Sequence, residues 1–187
     1  FSFFLTIPMC FGLVAVSSNF VPWFFGPGYE PVADVLAIIS SMLIAVGLSN
    51  VTGIQFMVPM NRQNQLTLSV IAGAIFNFII NLYLIPRFYS TGVALATVLT
   101  EWLVTFVQFY LVRDFFNVFD IFSQGKNYFL SGFIMLLITS MLSQYLTSSI
   151  LNSLLLVMIG SAVYGGILFI IKDQMIMIFI TKIKERL

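Results

Sequence analysis

Six apolar runs of about twenty residues each, separated by short turns rich in proline, glycine or charge, dominate this chain. Charged residues make up only 8% of its 187 residues, against about 25% in an ordinary soluble domain. So few charges cannot cover a water-facing surface, and a run of about twenty apolar residues is long enough to cross a bilayer. We therefore predict an all-α, polytopic membrane protein.

Prolines, glycines and polar turns predict where each span begins and ends. The predicted spans cover residues 1–25, 31–58, 64–85, 91–112, 127–148 and 150–171. Pro8 is expected to kink the first span, and the Gly26-Pro27-Gly28 turn ends it. The boundary at residues 144–149 is only mildly polar, so a re-entrant hairpin is the alternative to two separate spans there.

Two further stretches, 114–124 and 174–187, are amphipathic and are predicted to be helices lying in the membrane interface. In the first, Phe115, Phe119 and Phe122 share one face. The second carries several basic residues, and a plain stop-transfer charge cluster explains it equally well.

The positions of Lys and Arg predict the orientation. Seven of the eight fall on one side of the six-span arrangement: Arg62, Arg113, Lys126, Lys172, Lys182, Lys184 and Arg186. Arg87 alone falls on the other side. Because cytoplasmic loops are enriched in Lys and Arg, the first group is expected in the cytoplasm, with the carboxy terminus. The chain begins at Phe1 without a charged leader, so we expect a fragment that starts at or inside a membrane helix.

Glu101 is the charged residue predicted near the middle of a span, where an ionised side chain costs on the order of 2.5–3.5 kcal/mol. Thr97, Glu101, Thr105 and Gln108 share one helix face, which should meet protein or a water-filled cavity. Two hypotheses stay open for Glu101. It lines a cavity and takes up a proton or a cation, or it is a protonated or hydrogen-bonded strut between helices.

Small and polar residues also mark the third span, where Ser69, Gly73, Asn77 and Asn81 follow one face. This pattern favours close helix packing with amides bonded across helices, over a pathway lining. In the sixth span, the Ser161-x-x-x-Gly165 spacing, beside Gly160 and Gly166, predicts packing in the same way.

The second span carries a polar, glycine-flanked patch, residues 47–55, that contains Asn50. It indicates a flexible, pathway-facing segment or a local kink. Arg62 and Arg87 lie at helix ends, where snorkelling and topology are favoured over phosphate binding. The chain has no His and one apolar-flanked Cys10, so we predict no catalytic residue, cofactor or metal. Nucleic acid is not expected as a partner either.

Several short segments are notable for their order and spacing over residues 1–113. They are Pro8-x-x-x-Gly12-Leu13, Phe24–Tyr29, Gly47–Gln55, Pro59–Arg62, Ala72–Phe78 with Asn81, Leu84–Pro86, Gly92–Ala94 and Thr100–Glu101. Together they resemble the second lobe of polysaccharide flippases. That family belongs to the superfamily that also holds multidrug and toxic-compound extrusion transporters and the peptidoglycan-precursor flippase. The resemblance fades through the last two spans.

The resemblance implies fourteen helices in two lobes around a central cavity that opens alternately to each side. This chain looks like helices nine to fourteen, with the amino-terminal lobe missing. The family moves undecaprenyl-pyrophosphate-linked oligosaccharides to the outer leaflet of the bacterial cytoplasmic membrane, driven by an ion gradient. Glycosyltransferases or a polymerase would then be partners.

The resemblance also points to candidate site residues. The cavity and coupling candidates are Glu101, Thr97, Gln108, Asn77, Asn81 and Asn50. Flippases of this group place cationic side chains in the cavity to hold the pyrophosphate. No Lys or Arg is predicted deep in a span of this chain. The missing lobe would then supply them, or Arg62 and Arg87 would contact the phosphates at the rims.

Three other functions remain as alternatives. A multidrug or cation exporter of the same superfamily is compatible with Glu101. A membrane enzyme, such as a polysaccharide polymerase or acyltransferase, would need a large outer loop with catalytic residues, whereas every predicted loop is short. A static assembly subunit is disfavoured by the polar stripes in the second, third and fourth spans.

Overall fold

The described part of the chain consists of helices joined by short connections, and five helical stretches are long and apolar enough to cross a membrane. The computed structural model describes residues 1–115 and 117–178, with the backbone alone for residues 118–120. The helices are α1 (Ser2–Phe25), α2 (Pro31–Ser40), α3 (Met42–Asn50), a π-helical segment (Val51–Met57), α4 (Gln63–Val112), α5 (Val118–Ser143) and α6 (Ile150–Ile170). The prediction of an all-α, polytopic membrane protein is confirmed.

The longest helix, α4, is a hairpin of two antiparallel arms. Its 50 residues would extend roughly 75 Å if straight, more than twice the hydrocarbon core of a bilayer. The backbone leaves the helical conformation at Tyr89, with φ 49° and ψ −125°. Asn77 then bonds Thr100, and Ser69 bonds Gln108, so the chain has turned back on itself. The first arm (63–88) and the second arm (90–112) correspond to the third and fourth predicted spans.

The turn of the α4 hairpin is tight. A Cβ atom at Gly92 would lie 2.5 Å from the carbonyl oxygen of Leu84, so the backbones approach more closely than any other residue type allows. Pro86 lies just before the turn, where its missing N–H weakens the helix. The turn between the two arms therefore lies in the polar, proline-containing stretch that the sequence analysis predicts between the third and fourth spans.

The second predicted span is one long apolar stretch, Pro31–Met57, built from three helical pieces. The first break is at Ser41, whose hydroxyl donates to the carbonyl of Ile38 at 3.1 Å. The second is the π-helical segment, in which the N–H of Val58 donates to the carbonyl of Gly53, five residues back. The polar patch predicted to kink this span or to make it flexible is therefore where the helix changes its hydrogen-bonding pattern.

The prediction of a separate interfacial helix over 114–124 is wrong. The fifth helix begins at Val118 rather than near 127, so residues 118–124 belong to it. Two phenylalanines of this stretch contact rings of the protein, because Phe115 contacts Phe56 and Phe122 contacts Phe109. In the predicted tail helix, residues 174–178 are helical, and 179–187 lie outside the described residues.

The described residues form two compact units, and the first contains residues 3–33 and 124–178. α1 and α5 run parallel in this unit, because Gly125 lies against Phe3 and Gly132 lies against Ile7. α6 runs antiparallel to α1, since Tyr164 donates to the carbonyl of Phe4 near the start of α1. A Cβ atom at Gly132 would lie 2.5 Å from Ile7 Cγ2, so α5 and α1 are in close contact.

Asn19 fixes the connection between α5 and α6. Its side chain, 3% exposed, donates to the carbonyl of Thr147 at 3.1 Å and accepts from Ser153 Oγ at 2.8 Å. Ser148 donates to its backbone carbonyl at 2.6 Å. Ser149 then caps α6 by accepting from the N–H of Asn152. Residues 144–149 are thus a non-helical connection between α5 and α6.

The turn between α1 and α2 depends on two glycines in the left-handed region, Gly26 at φ 88° and Gly28 at φ 92°. The N–H of Gly28 donates to the Glu30 carboxylate at 3.1 Å. Backbone N–H donors of Glu30 itself and of Gly28 lower the pKa of the Glu30 carboxyl group below its ordinary value.

The second unit contains residues 34–123 and holds every cavity and coupling candidate. α3 and the π-helical segment after it run parallel to the second arm of α4, because Thr105 contacts Ala45 and, further along, Gln108 contacts Thr52. The first arm packs antiparallel to the second.

Candidate functional site

A buried polar trio joins three helical segments of the second unit. Thr52 donates its hydroxyl to Gln108 Oε1 at 2.6 Å, and Gln108 Nε2 donates to Ser69 Oγ at 3.3 Å. Ser69 in turn donates to the carbonyl of Leu66, one turn back in its own helix. Gln108 is 1% exposed. The bonds satisfy both ends of a buried amide, as an apolar environment demands.

Glycine makes room for this trio. A Cβ atom at Gly53 would lie 2.8 Å from Leu66 Cδ1 and 3.3 Å from Gln108 Nε2. The glycine beside Thr52 therefore lets the amide of Gln108 reach the helix that carries Thr52. Polar side chains between helices supply attraction that lipid-like apolar contacts lack in a bilayer.

A second polar cluster lies nearer the hairpin turn. Asn77 Nδ2 donates to Thr100 Oγ1 at 3.0 Å, and Asn81 Nδ2 donates to Asn77 Oδ1 at 2.9 Å. Asn81 Oδ1 is enclosed and has no hydrogen-bond partner among the described residues. Between the two clusters, Gly73 lies against Val104 so closely that a Cβ atom would overlap Val104 Cγ2. The predicted small and polar face of the third span therefore packs against the fourth.

The predicted stripe Thr97, Glu101, Thr105 and Gln108 divides in the structure. Thr105 and Gln108 are buried in contacts with other segments, and Thr105 donates to the carbonyl of Ala45 at 2.9 Å. Thr97 donates only within its own helix, to the carbonyl of Val93. Glu101 is partly exposed, and its carboxyl group has no hydrogen bond or ion pair within residues 1–115 and 117–178.

The three remaining candidates lie apart from both clusters. Asn50 is exposed, and its amide donates to the carbonyl of Val46 in the same helix. Arg62 precedes α4, stacks on Phe115 at 4.5 Å, and donates to Gln65. Arg87 is exposed near the hairpin turn and stacks on Tyr83 at 3.6 Å. Neither guanidinium has a carboxylate partner in the described structure.

Among the glycines that the sequence predicts to pack in α6, Gly160 is close-packed, because its Cβ would lie 3.1 Å from Thr139 Cγ2. No described atom other than its own helix lies within 4 Å of such a Cβ at Gly165. Thr100, which bonds Asn77, and Thr52, which bonds Gln108, were not proposed as site residues. Thr100 lies four residues before Val104, so the two residues share the helix face that packs against Gly73. This spacing could have identified Thr100 from the sequence.

These features define a multi-pass membrane protein with buried polar clusters between tightly packed helices. A curated protein similar to it is the "Putative O-antigen transporter" of Escherichia coli (strain K12), which is 35% identical over 89 residues. The likeness covers 48% of this chain and 21% of that protein, so the chain matches only a fifth of its relative's length. No family model and no solved structure matches the chain.

Proposed function

We propose that the chain is part of a membrane transporter for polysaccharide precursors, and that it forms one lobe of a lipid-linked oligosaccharide flippase. The likeness to an O-antigen transporter over 89 residues carries this proposal. The all-helical fold supports it, because a transporter of this kind needs many membrane crossings and short connections. A polymerase would need a large extramembrane loop, and the connections of the described chain are short.

The proposed mechanism is alternating access, in which two lobes rock about a site near the middle of the membrane. Glu101 is the proposed coupling residue. A carboxyl group inside a span costs several kcal/mol when ionised, on the order of 2.5–3.5 on insertion scales, unless it meets water or a cation. Glu101 is partly exposed and has no partner in the described structure, so its group is open to a proton, a cation or the other lobe.

The packed clusters have a different role in this proposal. Gln108, Asn77 and Asn81 hold the α4 hairpin together and align the second arm, which carries Glu101 and Thr97. Arg62 and Arg87 lie at opposite ends of the first arm, and each stacks on an aromatic ring. They are the proposed phosphate contacts at the two rims, because a stacked guanidinium still offers its edge to phosphate oxygens.

The proposed location is the bacterial cytoplasmic membrane, with the carboxy terminus in the cytoplasm and an amino-terminal lobe completing the transporter. The lipid-linked oligosaccharide carries a pyrophosphate, and glycosyltransferases and a polymerase act before and after the transport step. The positive-inside distribution of Lys and Arg supports this orientation.

The test is complementation of a flippase-deficient host with the full-length protein. The proposal predicts that wild type restores surface polysaccharide and clears lipid-linked repeat units from the cytoplasmic leaflet. Glu101→Gln should lose at least about tenfold in export at an unchanged membrane level, since it removes a proton or cation site without changing side-chain size. Glu30→Gln, in the exposed turn after α1, is the matched control and should export normally.

Three results would contradict parts of the proposal. Normal surface polymer in Glu101→Gln would reject its coupling role. Failure of wild type to restore polymer, together with energy-dependent efflux of a cationic dye, would replace the glycan substrate with a drug-like cation. Failure of both assays at a normal membrane level would reject transport itself.

A further inference from the structure

The π-helical segment Val51–Met57 changes which residues of the second span share a face. Its hydrogen bonds join residues five apart, as from the N–H of Val58 to the carbonyl of Gly53. In an α-helix, residues five apart lie about 140° from each other around the axis, whereas in a π-helix they lie on one face, a turn apart. Asn50, directly before the segment, and Gln55 within it are five apart. The π-helical geometry therefore brings their two amides to the same face.

Burial in the segment follows the same spacing. Thr52 and Met57, five residues apart, are both buried, and Thr52 bonds Gln108 of the second arm. Asn50 and Gln55 are both exposed. In a regular α-helix, Gln55 would lie three residues after Thr52 on the packed face. The π-helical segment instead keeps Thr52 and Met57 packed and leaves Gln55 beside Asn50 on the exposed face.

Both amides have hydrogen-bonding groups to spare. Asn50 donates one N–H to the carbonyl of Val46 at 3.0 Å, and its Oδ1 has no partner among the described residues. The Gln55 amide makes no hydrogen bond within the part of the chain that the structure describes. Both residues lie in the apolar stretch Pro31–Met57, where hydrocarbon could not supply the missing partners. This face is therefore expected to meet something polar rather than lipid.

We propose that Asn50 and Gln55 form a two-amide contact for hydroxyl groups of the transported glycan. The inference rests on the proposed function and adds to it a further contact residue, Gln55. Each amide offers donors and an acceptor, which suits neighbouring hydroxyl groups on a sugar ring. No Asp, Glu, Lys or Arg occurs over residues 35–61, so this face fits an uncharged, hydrogen-bonding ligand. Val51 and Ile54, exposed on the same face, offer apolar surface to the C–H groups of the ring.

A first experiment asks whether this face meets water. Asn50→Cys and Gln55→Cys are made in the full-length protein, with its other cysteines replaced, and are labelled in permeabilised cells with a water-soluble maleimide. Both should react. Ile75→Cys and Phe78→Cys, at exposed apolar positions of the first arm, are the controls and should react about tenfold more slowly or less, because a thiol in hydrocarbon forms little thiolate. Equally slow reaction at all four positions would overturn the proposal.

A second experiment identifies the ligand. Lipid-linked repeat units extracted from the flippase-deficient host are added to the two variants in proteoliposomes, and a prenyl pyrophosphate without sugar is added in parallel. The repeat units should slow labelling at positions 50 and 55 by about fivefold or more once the site is mostly occupied. The prenyl pyrophosphate alone should leave the labelling rate unchanged. Equal protection by the two compounds would assign the site to the carrier lipid and overturn the glycan contact.

Removal of the amides tests their part in transport. Asn50→Leu and Gln55→Leu keep the side-chain size and should each lower glycan export by about fivefold or more at a normal membrane level, the equivalent of one lost hydrogen bond to the ligand. Asn64→Leu, an exposed amide at the start of the first arm, is the matched control and should export normally. Normal export by the double variant Asn50→Leu/Gln55→Leu would overturn the proposal.

Labelling does not depend on transport, so the glycan contact and the flippase proposal fail separately. Restored glycan export by the wild type, with positions 50 and 55 left unprotected by the repeat units, would keep the flippase and reject the contact. Protection of both positions in a protein whose wild type exports no glycan would keep the contact and reject the flippase.

Discussion

Gly73→Ala should separate the two arms of the α4 hairpin. The new Cβ atom would overlap Cγ2 of Val104 and would lie 3.5 Å from Thr100 Cγ2. Val104 is β-branched and buried, so it has few alternative rotamers to relieve the overlap. Overpacking of this kind costs about 1–3 kcal/mol, and replacing a helical glycine returns about 0.5–1 kcal/mol. The expected net loss is therefore about 1 kcal/mol, within a range of about 0–2.5 kcal/mol.

The assay is thermal stability of the purified full-length protein in detergent, followed as the soluble, monodisperse fraction after heating. Gly73→Ala should lower the midpoint. Adding Val104→Ala should bring it back toward the value of Val104→Ala alone, with a coupling energy of about 0.5–3 kcal/mol. Gly12→Ala is the control, because its Cβ would meet only Met135 Cε at an ordinary 3.9 Å. Additive effects of Gly73→Ala and Val104→Ala would refute the close approach of the arms.

Two further predictions concern the buried amides. Asn19→Ala should destabilise the protein by roughly 1–3 kcal/mol, because it removes the acceptor of the buried Ser153 hydroxyl, whereas Asn64→Ala at an exposed site should not; equal thermal midpoints would contradict this. Thr52→Val should destabilise more than the double variant Thr52→Val/Gln108→Leu, because only the single change leaves the carbonyl of Gln108 without a donor. The same heating assay decides it, and a less stable double variant would be the contrary result.

The sequence predicts the helices well because a bilayer leaves few alternatives for a long apolar run. Pro86 and the polar residues after it mark the hairpin turn, although no pattern identifies Tyr89 as the residue that leaves the helical conformation. The start of α5 was misplaced because an aromatic face that packs on protein has the same period as one lying on lipid.

The site was only partly predictable for a physical reason. Helical spacing indicates which residues share a face, so it assigned Gln108, Asn77 and Asn81 to the polar faces of their spans. It does not indicate which other helix that face meets, and Gln108 bonds Thr52, 56 residues away in sequence. Asn19 was missed because a lone amide in an apolar span has no periodic neighbours that would mark its face.

The proposed function depends on α4 crossing the membrane twice as a hairpin. That arrangement puts Arg62 and Arg87 at opposite membrane surfaces and Glu101 inside the membrane. The most direct measurement is labelling of single cysteines with a membrane-impermeant maleimide in intact cells, at exposed Ser90 near the turn and at exposed Asn64 near the start of the first arm. We predict that Ser90→Cys reacts from outside, and that Asn64→Cys reacts only after the membrane is permeabilised. Reaction of both positions from the same side would contradict the account.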